Sequence, residues 1–316
     1  MDDLVRAGFP KLLTPNVNVI PYLTIKVSID GTEMSEVFTI SQKALTPKNL
    51  SAINIDRNRG YIGPTGNDYN YNRYYNLALW TYNVFGPNGL FYTPNNFSVS
   101  NADWGAANTS SITASTNHVN ANHVNGISVT TAARINNWRD SGEGILVIND
   151  DYHGSNTATT GGFATGKLYN LLSWSYATRS GSPRINTGAS HTKVYKYIFV
   201  NGPFGPVDAS SITDWSYDDE RLAIGGYPPS AVPIVTDGAG NAHILIDPQN
   251  RVVFNGELQF FNSARYQIPG TGPVTEYQKF LANYIAFIHN VAMYGSHFTD
   301  HFRDETDTNP PFDYKP

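Results

Sequence analysis

The first ordered alternation of apolar and polar positions is Tyr22-Leu23-Thr24-Ile25-Lys26-Val27-Ser28-Ile29, a run rich in β-branched residues. A period of two predicts a strand. Asp30-Gly31 has turn chemistry and Glu36-Val37-Phe38-Thr39-Ile40 can return beside the first run, so residues 1–46 are expected to carry a β-hairpin. A lone hairpin is marginal in water. This one must pack on the main domain or add to a neighbour's sheet.

Beyond Thr46-Pro47 the pattern alternates between short apolar runs and helical spacings. Ala52-Ile53-Asn54-Ile55-Asp56 reads as a first core strand ending in an acid. Residues 57–70 are rich in Gly, Pro and Asn and read as loop. Tyr71, Tyr75, Leu79 and Tyr82 recur at helical spacing and predict a helix over Tyr71–Phe85. Residues 92–126 are irregular, with loops and one short strand expected. A helix over Val129–Asp140, carrying Ala132, Ile135 and Trp138, is stopped by Ser141-Gly142. Ile145-Leu146-Val147-Ile148 is uninterrupted, the signature of a strand buried on both faces in a parallel sheet. Asn149-Asp150-Asp151-Tyr152-His153-Gly154 then falls at the carboxyl end of that strand, where open α/β sheets place ligands.

After a Gly/Thr loop, Phe163–Tyr176 has helical spacing and Tyr195–Val200 is a further apolar run. Ala231–Thr236, Ala242–Ile246 and Arg251–Phe254 read as strands joined by Asp237-Gly238-Ala239-Gly240-Asn241 and Asp247-Pro248-Gln249-Asn250, both with turn chemistry. Val274–Met293 holds the strongest helical pattern, through Tyr277, Leu281, Tyr284, Ile285, Ile288 and Val291. The alternation predicts an α/β domain over residues 47–295, with a mainly parallel sheet. The charged, proline-ending segment 296–316 is expected to be an extended arm, disordered by itself.

Composition narrows the functional classes. Zero cysteines exclude disulfides, thiolate metal ligands and a thiol nucleophile. A net charge of −5 offers no basic footprint for nucleic acid. No apolar run approaches the length of a membrane span. The start, Met1-Asp2-Asp3-Leu4-Val5-Arg6, lacks the apolar core of a secretory signal. Polarity is carried by Asn, Ser, Thr and Tyr rather than by ions, a composition shared with virion proteins released by lysis.

Three segments occur in a telling order: Trp138-Arg139-Asp140-Ser141-Gly142-Glu143-Gly144 leading into Ile145–Asp150; Asn201-Gly202-Pro203-Phe204-Gly205; and Arg251-Val252-Val253-Phe254-Asn255-Gly256-Glu257, followed by a helix with Leu281-Ala282-Asn283-Tyr284-Ile285. Together, across residues 50–293, they resemble the class I glutamine amidotransferase-like superfamily in its non-amidotransferase branches. The resemblance implies a flavodoxin-like three-layer sandwich, with a cysteine nucleophile after the central strand served by a His and a Glu. Here the elbow reads Asn149-Asp150-Asp151, there is no cysteine, and Asn255-Gly256-Glu257 offers only a carboxylate. The amidotransferase chemistry is therefore absent.

The candidate catalytic set is Asp150, Asp151, His153 and Glu257, which could bind a divalent metal or act as acid and base if they converge. The simpler account is that the aspartates cap the turn after the strand. Ser155 lacks a nucleophile-elbow context. His118 and His123 read as residues of a polar surface loop rather than metal ligands, and His297 with His301 as part of the arm. Asp237–Asn241 reads as a hairpin turn rather than a calcium loop. No metal or cofactor is expected.

These readings converge on a non-catalytic structural component of a bacteriophage virion, in the tail, baseplate or neck. Its terminal arms would bind other virion proteins and copies of itself, without nucleic acid or membrane. Two alternatives remain open: a hydrolase acting on glycans or related polar substrates at the carboxyl edge of the sheet, and a module binding host surface glycans through its many Tyr, Trp and Asn side chains.

Overall fold

The computed structural model describes residues 22–29, 32–39, 50–56, 97–103, 112–122, 129–142, 144–149, 174, 184–185, 199–202, 204–213, 221–256 and 273–295. The expected helices over Tyr71–Phe85 and Phe163–Tyr176, and the arm 296–316, lie outside these residues. The chain divides into two compact units, Met1–Pro47 and Lys48–Pro316.

In the first unit, β1 (Tyr22–Ile29) pairs antiparallel with β2 (Thr32–Thr39). The register runs from Tyr22↔Thr39 to Ile29↔Thr32, leaving Asp30-Gly31 as a two-residue connection. It aligns Leu23 with Phe38 and Val27 with Met34.

The second unit is built on an eight-stranded sheet. Its strands are β3 (Leu50–Asp56), β4 (Phe97–Asp103), β5 (His118–Asn122), β6 (Ile145–Asn149), β7 (Arg184–Ile185), β10 (Val232–Thr236), β11 (Ala242–Asp247) and β12 (Val252–Asn255), in the order β4-β3-β5-β6-β12-β11-β10-β7. A separate two-stranded pair joins β8 (Asn201–Gly202) to β9 (Gly205–Pro206). The sheet is mixed. The pairs β4–β3, β3–β5, β5–β6 and β6–β12 are parallel, whereas β12–β11, β11–β10 and β10–β7 are antiparallel. The expectation of a mainly parallel sheet therefore holds for one half only. The connections Asp237–Asn241 and Pro248–Arg251 are far too short for the crossover that parallel neighbours need.

Strand β6 sits inside the sheet between parallel neighbours, and all five of its residues are buried. Removing its four aliphatic side chains from water stabilises the fold by ~1.5–3 kcal/mol each. Helix α1 (Val129–Ser141) covers one face. Its Ala132, Ile135 and Trp138 pack with Ile53, Ile55, Val119, Ala121, Leu146, Ile148, Val252 and Phe254. Helix α2 (Glu276–Tyr294) lies against β3 and β6 on the other face. It begins with a capping box, in which Thr275 Oγ1 accepts from the Gln278 N–H and Gln278 Oε1 accepts from the Thr275 N–H. It ends at Gly295 with φ of 59°. Every residue from Phe280 to Met293 is buried, so this helix is enclosed on all sides.

Residues 92–126 depart from expectation. They supply two strands, β4 and β5, both within the parallel half. Nor is His118 in a surface loop. It opens β5 and is fully buried, because the face of β5 carrying His118 and Asn120 lies under α2 rather than under solvent.

Candidate functional site

The carboxyl edge of the parallel strands is built from a repeated triplet. Asn54-Ile55-Asp56 ends β3, Asn101-Ala102-Asp103 ends β4 and Asn120-Ala121-Asn122 ends β5. The register places these triplets side by side: Asn54 pairs with both Asn101 and Asn120, and Asp56 pairs with Asp103. The row continues through Asn122↔Asn149 and Asn149↔Asn255 into β6 and β12. All five parallel strands thus end on Asn or Asp. The repeated Asn-x-Asp/Asn was the signal for this edge, and it was missed because each triplet alone resembles turn sequence.

Asn120, Asn149 and Asn255 are wholly buried. Asn149 Nδ2 donates to Asn120 Oδ1 at 2.5 Å, and Asn255 Nδ2 donates to Asn149 Oδ1 at 3.3 Å. Asn149 therefore uses both ends of its amide to tie β6 to the strands on either side. Buried amides are tolerable only when bonded in this way. Asp150, Asp151, His153 and Glu257 all lie outside the described residues. The structure fixes the positions immediately before them, Asn149 for the elbow and Gly256 for Glu257. Gly256 donates its N–H to the His243 carbonyl at 2.8 Å.

At the opposite, amino end of β5, His118 is enclosed beside His289 of α2. Burial, and then the nearness of His289, pushes the His118 pKa down to about 3. Burial alone pushes His289 down to about 4. Both imidazoles are neutral at neutral pH.

Two further polar groupings hold loops in place. Asn283 of α2 accepts from the Phe204 N–H at 2.9 Å and donates to the carbonyls of Phe199 and Gly205 at 2.9 and 3.3 Å, which fixes the Asn201–Gly205 segment. The Phe199 ring stacks in the same place with Phe280, Tyr284 and Phe287. Elsewhere, Arg221 Nε donates to His243 Nε2 at 2.7 Å, and Asp237 Oδ2 lies 3.7 Å from the same arginine nitrogen. Arginine cannot accept, so this imidazole nitrogen carries its lone pair. Asp237 Oδ1 also accepts from the N–H groups of Ala239 and Asn241, and Oδ2 from Asn241 Nδ2. Its carboxylate is turned into the hairpin, which agrees with the turn reading of Asp237–Asn241.

Arg251 closes the amino side of β6. It adopts a left-handed backbone with φ of 54°, unusual for a residue with a side chain. Its Nη2 donates to the carbonyls of Arg139 and Gly142 at 2.8 and 2.7 Å, and its Nε to that of Gly144 at 3.2 Å. A cation thus caps the carbonyl end of α1, where the helix dipole favours it. At Gly144 a Cβ would lie 2.4 Å from Trp138 Cζ2, so only glycine lets the chain pass beneath the indole. Trp138 Nε1 is in turn held by the Thr116 carbonyl at 3.1 Å.

On the exposed side of β9, the Asp208 carboxylate accepts from the hydroxyls of Ser210 and Ser211 and from the Ser210 N–H, which lowers its pKa. This is a cap on the 3-10 turn Ala209–Ser211. Among the described residues no three His, Asp or Glu side chains gather as a metal site, and no helix is long and apolar enough to cross a membrane. Comparison with protein-family models and with curated proteins finds no match for this chain.

Proposed function

We propose that this chain is a non-catalytic structural protein that assembles into a larger particle, a bacteriophage virion, on a flavodoxin-like scaffold of the glutamine amidotransferase type. The observation that carries the reading is Asn149. At the end of the central parallel strand, where the elbow that carries the nucleophile in the resembled superfamily begins, this chain has a fully buried amide bonded to Asn120 and Asn255. A side chain engaged in this way holds strands together and has no reach toward a substrate. The hairpin β1–β2 adds support, since a two-stranded unit gains stability by joining a further sheet.

A second reading, a hydrolase or a glycan-binding site at the same edge, is favoured by the row of Asn and Asp strand ends and by Asp150 and Asp151 following Asn149. One set of measurements separates the two. Full-length protein is followed by sedimentation over a range of concentrations, and assayed for glutamine hydrolysis and for cleavage of polysaccharides. Gradient-purified phage particles are probed for the chain at fixed stoichiometry. Assembly, presence in particles and no turnover are expected; sustained turnover of either substrate class would overturn the structural reading.

A further inference from the structure

We propose that Asn255-Gly256, at the end of β12, is a self-modification site that the folded sheet holds shut. Opening of that strand end lets the dipeptide cyclise, lose ammonia and become aspartate or isoaspartate, after which the native amide row does not re-form. The inference stands apart from the assembly reading. Glycine has no Cβ to shield its nitrogen or restrict its backbone, so in an open chain the Gly256 nitrogen reaches the side-chain carbonyl of Asn255. That nitrogen gives up its proton to solvent and forms a bond to Asn255 Cγ. The Cγ–Nδ2 bond breaks, Nδ2 leaves as ammonia, and a five-membered imide remains. Water then opens either of the two imide carbonyls, giving aspartate or isoaspartate. The balance is one water consumed and one ammonia released.

In the folded chain each reacting atom is otherwise engaged. The Gly256 N–H donates to the His243 carbonyl at 2.8 Å, which holds the nucleophile to β11 with its proton in place. Asn255 Nδ2, the leaving group, donates to Asn149 Oδ1 at 3.3 Å. Asn255 is wholly buried and Gly256 is buried beside it, so the water and base that the reaction needs are kept out. Strand β12 lies inside the sheet, with Asn255 in register with Asn149 on one side and Ile244 on the other.

The products do not fit the place that Asn255 leaves. The aspartate product sets an ionised acceptor against Asn149 Oδ1, itself an acceptor, where no water reaches. The isoaspartate product adds a carbon to the main chain between two paired strands and carries Gly256 away from the His243 carbonyl. Either change makes the opening one-way.

Full-length protein is incubated in mildly alkaline buffer, with and without denaturing urea, beside a synthetic peptide spanning residues 250–260. Digestion and mass spectrometry follow the mass gain and isoaspartate content at Asn255. The site reacts in the native protein only through locally opened states, and the loss of two buried hydrogen bonds should hold its rate roughly a hundredfold or more below that of the peptide. In urea the two rates should agree. Asn149→Ala, under conditions where its circular dichroism is native, should raise the rate at Asn255 by about tenfold. After transfer from urea to buffer, refolded chains separated by size exclusion should be depleted of molecules converted at Asn255 relative to those that fail to refold. A native rate within about threefold of the peptide, far inside the protection expected of two buried bonds, overturns the proposal. So does equal conversion at Asn255 in the refolded and unrefolded fractions, a result that needs no variant to fold.

Discussion

The two histidines enclosed between β5 and α2 make stability depend on pH in a calculable way. The unfolded chain takes up a proton on each imidazole near pH 6.5, whereas the folded chain keeps His118 neutral to about pH 3 and His289 to about pH 4. Between these limits the unfolded state holds more protons, so folding stability falls as pH falls. At ~1.4 kcal/mol per pH unit, His118 contributes on the order of 5 kcal/mol, and His289 on the order of 3 kcal/mol. These contributions are fully present above pH 6.5 and gone once pH has dropped through the folded values. Together they rival the whole stability of a typical domain, about 5–15 kcal/mol. Acid unfolding should therefore be under way well above pH 3.

The interval from pH 7.5 to 5 isolates the effect, because most carboxylates stay ionised there. Each buried imidazole should cost about 2 kcal/mol over that interval, or roughly 4 kcal/mol for the pair. Urea unfolding followed by tryptophan fluorescence at both pH values gives the loss directly. The same measurement on the double variant His118→Gln/His289→Gln removes the two sites while leaving the other histidines, whose titration cancels in the difference. The double variant is expected to lose about 4 kcal/mol less than the native chain between the two pH values. Equal losses in the two proteins would refute the argument.

Other side chains give shorter tests. Arg251→Ala removes the charge-assisted bonds to the carbonyls of Arg139, Gly142 and Gly144, and should lower stability by about 2–3 kcal/mol, read from the urea midpoint. Gly144→Ala drives a methyl into the Trp138 ring, and should cost about 1–3 kcal/mol with a change in tryptophan emission. Asn149→Asp replaces the donor to Asn120 with a second acceptor. At pH 7 it should destabilise by about 3 kcal/mol or more, part of it regained in mild acid as the introduced carboxyl protonates and can donate again. An N149D protein as stable as the native chain at pH 7 would remove the amide row from the account.

Much of the frame was legible in the sequence, for identifiable reasons. Ile145–Ile148 has the unbroken apolar run of a doubly covered strand, and β6 is one. Asp30-Gly31 between alternating runs marked the β1–β2 hairpin. The two helices followed from their spacing, with boundaries within two residues of Val129–Asp140 and Val274–Met293. What escaped was β4 and the burial of β5. His118-Val119-Asn120-Ala121-Asn122 alternates as a half-solvated strand would, and the sequence contains no sign that the polar side faces a helix. That fact depends on α2, more than 150 residues later in the chain. The predicted site residues Asp150, Asp151, His153 and Glu257 remain sequence-level candidates, while the residue the structure does fix at the elbow, Asn149, is structural in character.

The amide row also explains how a sheet with such apolar inner strands finds one pairing. Ile145–Ile148 and Val252–Phe254 are nearly featureless, and a parallel strand without polar marks can slide along its neighbour at little cost. Asn120, Asn149 and Asn255 remove that freedom. A shift of one residue would turn each amide onto the face packed by α1, among Ile135, Leu146 and Phe254, where no partner waits. A shift of two would part Asn149 from both of its bonds. Either error strands a buried amide at about 1–3 kcal/mol apiece, so the native register is separated from its rivals by several such penalties at once. Neutral amides do this without the larger desolvation cost of carboxylates. The carboxyl edge of the sheet thus carries the polar marks that set the register of its apolar central strands.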